Sequence, residues 1–444
     1  MTLRALSFLL VGFVFSGCKG SDPTPTQTTP SDGGASTDGG RERLYVGTGE
    51  YSSTSTTWHA ILRFDDAQSI NTNDAGVTPS ATIPVQQIVD STGVPLNFAH
   101  TLYVAESRNE MYIGALFTTG DGGKTKPDSG MPLDPTDVVG SIGVLANASS
   151  ANGGQTLARH LFGPATLINQ PHGVWVDESR DLLYAANTFS KNILVWTTAS
   201  TATGNLAPAR NITHNKLGNP VFVFVDSATD RLFVACMNTT LDAGTPSRGA
   251  IVVYNNASVV NGFTEPSFRI AGDNTGIDRP NNTTTHNVWY DATRKLLIVG
   301  HHTFEVLFFD LGGIDMAPTT STDYNITPRV LQTNESANGS DIYHWSTYGL
   351  FYMADKDRLF VANGYNPGGT STGSGGPQSG SPKNVVRVYD GISDAGLWAN
   401  AGLWVDAGTT TDAGRAIRIS PTRTIYWSSG ATYYPPQPMW VTRY

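Results

Sequence analysis

Nine histidines occur in the chain, and three of them stand at the same place in a repeated pattern. His100, His172 and His286 each open a short apolar strand, in Ala99-His-Thr-Leu-Tyr103, Pro171-His-Gly-Val-Trp175 and Thr285-His-Asn-Val-Trp289. A fourth, His301, ends the strand that follows His286. Neutral imidazole is the commonest nitrogen ligand for zinc, copper and similar ions. Three imidazoles converging around an open position can hold such an ion and activate a bound water. Tyr348 takes the same place in a later repeat, and Glu305 lies in the loop that carries His301 and His302. Either can serve as acid or base. Asn187 and Asn363 share the position of His301 and offer amide groups to a ligand. Each histidine also has an ordinary structural alternative, since a strand-entry imidazole can simply donate to a neighbouring carbonyl.

The residues around these groups dictate how they are held. The cleanest repeat runs Gly173-Val-Trp-Val-Asp177, Leu182-Leu-Tyr-Ala-Ala186, Asn192-Ile-Leu-Val-Trp196 and Ala209-Arg-Asn-Ile-Thr213. Such a four-stranded antiparallel unit cannot bury both faces alone, so copies must stack, and radial stacking gives a β-propeller. The second strand of each unit is the easiest to find: Leu44–Gly47, Met111–Gly114, Leu183–Ala186, Leu232–Ala235, Leu297–Gly300 and Leu359–Ala362.

Five of these follow a first strand; the one at Leu44 has none upstream. The chain ends in Pro438-Met-Trp-Val-Thr-Arg-Tyr444, an unpartnered first strand that would close the ring and remove two free edges. The expected fold is therefore all-β, a six-bladed β-propeller closed by its C-terminal strand. The last fourth strand reads as Ala416–Ser420, and the segment Thr424–Trp427 beyond it leaves a degenerate seventh blade as the alternative count.

Aligned on the second strand, the entries to the first strands are His100, His172, Val221, His286 and Tyr348, with Gln437 or Pro438 from the C-terminus. Inner strands line the propeller axis, so these residues should ring one mouth of the channel. The residues just after the second strand are Thr48, Ala115, Asn187, Cys236, His301 and Asn363, and they should border that ring.

In wording and register the repeats are similar to NHL-type and YVTN-type propeller repeats over residues 41–444. Pro171-His-Gly173 echoes their Pro-x-Gly entry, and Asp177 and Asp291 echo their Asp turn. The histidine arrangement resembles the amidating-lyase propeller, whose zinc-binding histidines sit in Pro-His entries. Only His172 has that entry here, and no arginine accompanies it. Gluconolactonase-type propellers use a Glu/Asn/Asp metal set; Asn187 and Asn363 match its asparagines without an acid in the ring.

Arg4 and the apolar run Ala5–Phe15 form a short secretory signal. Phe15-Ser-Gly-Cys18 resembles the bacterial lipoprotein lipobox, which implies that Cys18 is acylated after residues 1–18 direct export. Residues 19–40 are Thr, Ser, Pro and Gly-rich, with Ala35 their only aliphatic residue, as in a disordered tether. By the lipoprotein sorting rule, Lys19 implies the outer membrane. A propeller domain then occupies 41–444.

The formal net charge of −9 argues against nucleic acid as a partner. Contact with the membrane is expected through the lipid alone, and the molecule should be a monomer. With two cysteines in the chain a disulfide framework is excluded, and Cys236 reads as a small buried hydrophobe. Asp-Ala-Gly recurs at 74, 242, 394, 406 and 412, which is turn chemistry rather than a calcium loop. Two functions of different class follow. One is an envelope lipoprotein whose propeller head binds a small molecule, glycan or protein, with one zinc or copper ion or no cofactor. The other is a metal-dependent lyase or hydrolase using the three-histidine site.

Overall fold

The structure, a computed structural model, describes residues 42–49, 60–67, 69–70, 77–96, 99–115, 140–239, 248–277, 285–301, 305–333, 345–365, 384–399, 402–403, 416–418, 422–427 and 437–443. Residues 1–40, on which the expected export signal, Cys18 and the expected tether fall, and His302 lie outside them. Six small sheets form a ring, a six-bladed β-propeller. The described residues include a single α-helix, Ala395–Ala399.

Blade 1 is built from Gln437–Arg443, Leu44–Gly49, Ala60–Phe64 and Ala81–Pro84, from the axis outward. Leu44 pairs with Arg443 and Gly47 with Trp440, so the closure read from the sequence is the one observed. Blades 2 to 5 begin with the inner strands Ala99–Ala105, Pro171–Asp177, Asn219–Asp226 and Thr285–Asp291. Blade 6 consists of Trp345–Met353, Arg358–Tyr365, Asn384–Asp390 and Arg423–Trp427. Second strands such as Leu182–Asn187 are buried along their whole length. They lie between two neighbouring strands and two neighbouring blades, which explains their unbroken apolar runs.

Two strand assignments are corrected. Arg423–Trp427 is the outer strand of blade 6 and pairs with Asn384–Val388; it does not begin a seventh blade. Ala416–Arg418 is not that outer strand. It runs parallel to the outer strand of blade 5, with Val330 opposite Ala416 and Leu331 opposite Ile417. The same device recurs: an excursion from one blade covers the exposed edge of the blade before it. Gly262–Phe263 covers blade 3, Thr322–Tyr324 covers blade 4, and Gly204 bridges Leu161 of blade 2. Covering these edges satisfies backbone groups that would otherwise recruit other chains. An alternating segment such as Ala-Ile-Arg fits either role, and pattern alone does not separate them.

Candidate functional site

All six inner strands carry a β-bulge near their start. The register slips between Ala99 and Thr101, Pro171 and Gly173, Pro220 and Phe222, Thr285 and Asn287, Thr347 and Gly349, and opposite Gly47/Thr48 in the C-terminal strand. The residues skipped are His100, His172, Val221, His286, Tyr348 and Met439. A bulge adds one residue and re-aims its side chain. The ring read from the sequence is thus the set of bulged residues, with Met439 as its sixth member in place of Gln437 or Pro438. The bordering set is equally regular: Ala115, Asn187, Cys236, His301 and Asn363 pair with the residue before each bulge, and Thr48 with Pro438.

Three residues further along the register of the inner strands stand Tyr103, Trp175, Phe224, Trp289, Phe351 and Thr442, the last with its side chain outside the described set. Five of these are aromatic, and their rings meet across the axis. Centroid separations are 4.9 Å for Tyr103–Trp175, 4.7 Å for Trp175–Phe224, 5.4 Å for Phe224–Trp289, 5.3 Å for Trp175–Trp289 and 4.9 Å for Trp289–Phe351. Tilted and edge-on rings at these distances attract one another. Trp289 fixes the layer by donating its indole N–H to the Leu350 carbonyl at 2.8 Å. An aromatic layer therefore floors the axis, and the mouth bounded by the bulge ring is the axial cup. Sequence reasoning missed this floor, although each of the five strands carries its aromatic between two aliphatic or tyrosine residues.

His100 and His172 meet in that cup, with ring centroids 4.2 Å apart. His100 is buried and His172 half-buried. The His100 Nδ1–H donates to the His172 carbonyl at 3.3 Å, which leaves Nε2 as its lone-pair nitrogen. The His172 Nε2–H donates to Gln170 Oε1 at 3.4 Å, which leaves Nδ1 as its own. Burial pushes His100 down to about 4, partly offset by the His172 carbonyl. Burial, and then the nearby His100, hold His172 well below the ordinary imidazole range. Both rings are neutral at pH 7, the form that binds a metal or exchanges hydrogen bonds with a polar ligand. His172 Nδ1 and the neighbouring Thr101 hydroxyl are buried and have no hydrogen-bond partner among the described residues.

The other candidates are not drawn into this pair. His286 and His301 belong to blade 5, where Thr285 pairs with His301, and His301 Nε2–H donates to the Ile277 carbonyl at 3.4 Å. Among the described residues, no three of His, Cys, Asp and Glu are grouped to hold a metal ion. Glu305 opens the third strand of blade 5, where Gln332 donates to its Oε1 at 2.7 Å. Asn187 is buried within blade 3, donating to the Leu167 carbonyl at 2.9 Å and Asn192 Oδ1 at 2.7 Å. It also accepts from the Asn169 N–H, so its amide ties loops and strands together. Tyr348 and Asn363 hold their register positions, and their side chains lie outside the described set. Cys236 is fully buried, and burial pushes its thiol well up.

Fold and mouth together define a six-bladed β-propeller with a floored, imidazole-bearing cup on its axis. No protein-family profile and no curated protein matches the chain. Among solved structures it is similar to the periplasmic gluconolactonase of Pseudomonas aeruginosa, at 15% identity over 80% of each chain and a TM-score of 0.41. It is also similar to a 6-phosphogluconolactonase candidate from Bacteroides uniformis, at 11% identity over 91% of this chain and 99% of that one, TM-score 0.44. A chain of the nidogen/laminin complex gives 12% identity over 86% and 100%, TM-score 0.41. Likeness at this level assigns no activity or ligand.

Proposed function

We propose that the propeller is the ligand-binding head of an exported lipoprotein and that it holds a small polar ligand in the axial cup. The observation that carries this reading is the neutral His100–His172 pair, 4.2 Å apart above the aromatic floor, with a buried nitrogen and hydroxyl lacking partners among the described residues. Buried polar atoms without partners cost free energy unless something bonds to them. An apolar floor with a few convergent polar groups is the usual make-up of a small-molecule site. In this reading Cys18 is acylated, residues 19–40 are the tether, the head stands as a monomer at the outer membrane, and the blades are NHL- or YVTN-type repeats.

Native mass spectrometry of the full-length protein, released from its membranes in mild detergent, tests the ligand. An adduct of defined mass in the wild type, lost in the His100→Ala/His172→Ala variant at unchanged melting temperature, is the expected result. A bare wild type, or an adduct that survives the double substitution, contradicts the reading. A fatty-acid probe that labels wild type and not Cys18→Ser tests the anchor.

A second reading rests on the same pair, because two neutral imidazoles suit zinc or copper. There the ion is held by His100 and His172, with His286 as a third ligand and Tyr348 or Glu305 as acid or base of a lyase or hydrolase. The mass of the adduct separates the two readings: a transition-metal ion in one, an organic molecule in the other.

A further inference from the structure

On the outer rim, the chain leaves each blade through a loop, and three of these loops can be compared at one register. Leu161 bridges Gly204, Ile270 pairs with Tyr324 and Ile212 pairs with Gly262. Two residues after the first member of each pair stand Gly163, Gly272 and His214. One residue after the second member stand Asn205, Asn325 and Phe263. In blades 2 and 4 the asparagine closes the rim. Asn205 Oδ1 accepts from the Ala165 N–H at 2.7 Å, and Asn325 Oδ1 accepts from the Asn274 N–H at 2.8 Å.

Glycine is required opposite it. Gly163 and Gly272 have φ of 112° and 118°, and a Cβ on either would lie 2.6 Å from the asparagine side chain. Blade 3 breaks this rule. His214 and Phe263 replace the Gly–Asn clasp and meet as tilted rings, centroids 4.7 Å apart and planes 44° apart, and Phe263 is left 68% exposed. A groove of about 560 Å³ opens there, lined by Ser190, Lys191, Thr213, His214, Asn215, Gly218 and Phe263.

The lining has a consistent chemistry. Phe263 offers an open aromatic face, with half-exposed Phe189 adjoining Ser190. Ser190 and Thr213 bring hydroxyls and Asn215 an amide. The Lys216 N–H donates to His214 Nδ1 at 3.2 Å, so His214 carries its proton on Nε2 and is a donor. Lys191 makes no ion pair among the described residues, and the lining contains no carboxylate. The nearest one in sequence, Glu265, is engaged by Lys216 at 2.8 Å. An aromatic platform beside hydroxyl and amide groups suits the apolar C–H face and hydroxyl rim of a sugar ring, and an unpaired ammonium suits an acid on that ring.

We propose that this rim groove, separate from the axial cup, binds an acidic saccharide stacked on Phe263 with its carboxylate on Lys191. The test is calorimetric titration of the full-length protein in detergent with trigalacturonate and, separately, with maltotriose. The acidic trisaccharide is expected to bind at least about tenfold more tightly than the neutral one, and Phe263→Ala to weaken it at least about tenfold. Lys191→Gln should abolish the preference for the acid while the His100→Ala/His172→Ala variant binds as wild type. Because Phe263 is exposed, its alanine variant should melt as wild type does. No heat with trigalacturonate, equal affinity for the two sugars, or full binding by a folded Phe263→Ala protein each overturns the assignment.

Discussion

At the base of the disc, a residue one or, in blade 1, two positions before each second strand accepts a hydrogen bond from a residue that follows the third strand, in every blade. The carbonyls are those of Glu42, Asn109, Asp181, Asp230, Lys295 and Asp357, and the donors are Ala67, Ala148, Ala199, Ala257, Leu311 and Gly391, at 2.7–2.9 Å. Five of these acceptors are left-handed, with φ between 48° and 56°, a conformation that Asn and Asp tolerate best. Four of the side chains also clasp a serine: Asn109 accepts from the Ser149 N–H, and Asp181, Asp230 and Asp357 accept from the hydroxyls of Ser200, Ser258 and Ser393.

The mouth is equally regular in backbone, with one bulge per blade, yet its six bulged residues differ in side chain: three are histidines, and the others are Val221, Tyr348 and Met439. Repetition of both backbone and side chain is what holding a ring together requires. Repetition of backbone with only partial repetition of side chain, and a neutral histidine pair in one sector, marks the surface where side chains answer to something other than the fold.

The comparison breaks most easily at the ring closure, which both faces depend on. Removal of Gln437–Tyr444 deprives Leu44–Gly49 of its inner partner and bares two edges. A urea or thermal melt should show loss of the cooperative transition at 37 °C or a shift of several kcal/mol; wild-type-like melting contradicts the closure.

The mouth should cost stability in acid. His100 titrates near 6.5 when unfolded and about 4 when folded, so between these values the unfolded chain binds the extra proton. Stability is therefore complete above pH 6.5 and falls as pH drops toward 4, by up to about 3 kcal/mol from this group. Urea titrations of wild type and His100→Gln across that window should converge as pH falls. Parallel curves would mean that the imidazole is not held neutral.

At the base the effects are smaller and independent of ligand. Asp181→Ala removes the acceptor of the Ser200 N–H and hydroxyl, at 2.9 and 2.6 Å, in a left-handed position. It should cost about 1–2 kcal/mol by urea denaturation and leave any cup adduct in place. Lys295 is the one base residue without a side chain suited to its φ of 52°. Lys295→Asn should raise stability by about 0.5–1 kcal/mol; a loss would show that the left-handed rule does not govern this face.

Much of this was legible in the sequence because the second strands are apolar throughout and anchor a common register. From Leu44, Met111, Leu183, Leu232, Leu297 and Leu359 the blade count, the closure and both rings followed. The sixth ring member was displaced because a bulge consumes one residue, and its position opposite Gly47 and Thr48 is a matter of hydrogen bonding that no pattern encodes. Ala416–Arg418 was misassigned for a related reason: outer strands and edge covers have the same alternation. Asn187 is tied to Leu167 and Asn192, on a loop and an adjacent strand, contacts that its place in the repeat does not reveal. The meeting of His100 with His172, and not with His286, depends on blade order around the axis.

The central claim is that the mouth holds two neutral imidazoles of opposite tautomer, each with one lone-pair nitrogen. Nitrogen-15 imidazole spectra of the full-length protein at pH 6, assigned with His100→Gln and His172→Gln, read protonation and tautomer directly. The account predicts both rings neutral, His100 protonated on Nδ1 and His172 on Nε2, with the His100 midpoint near 4. A charged ring at pH 6, or the same tautomer at both positions, contradicts it.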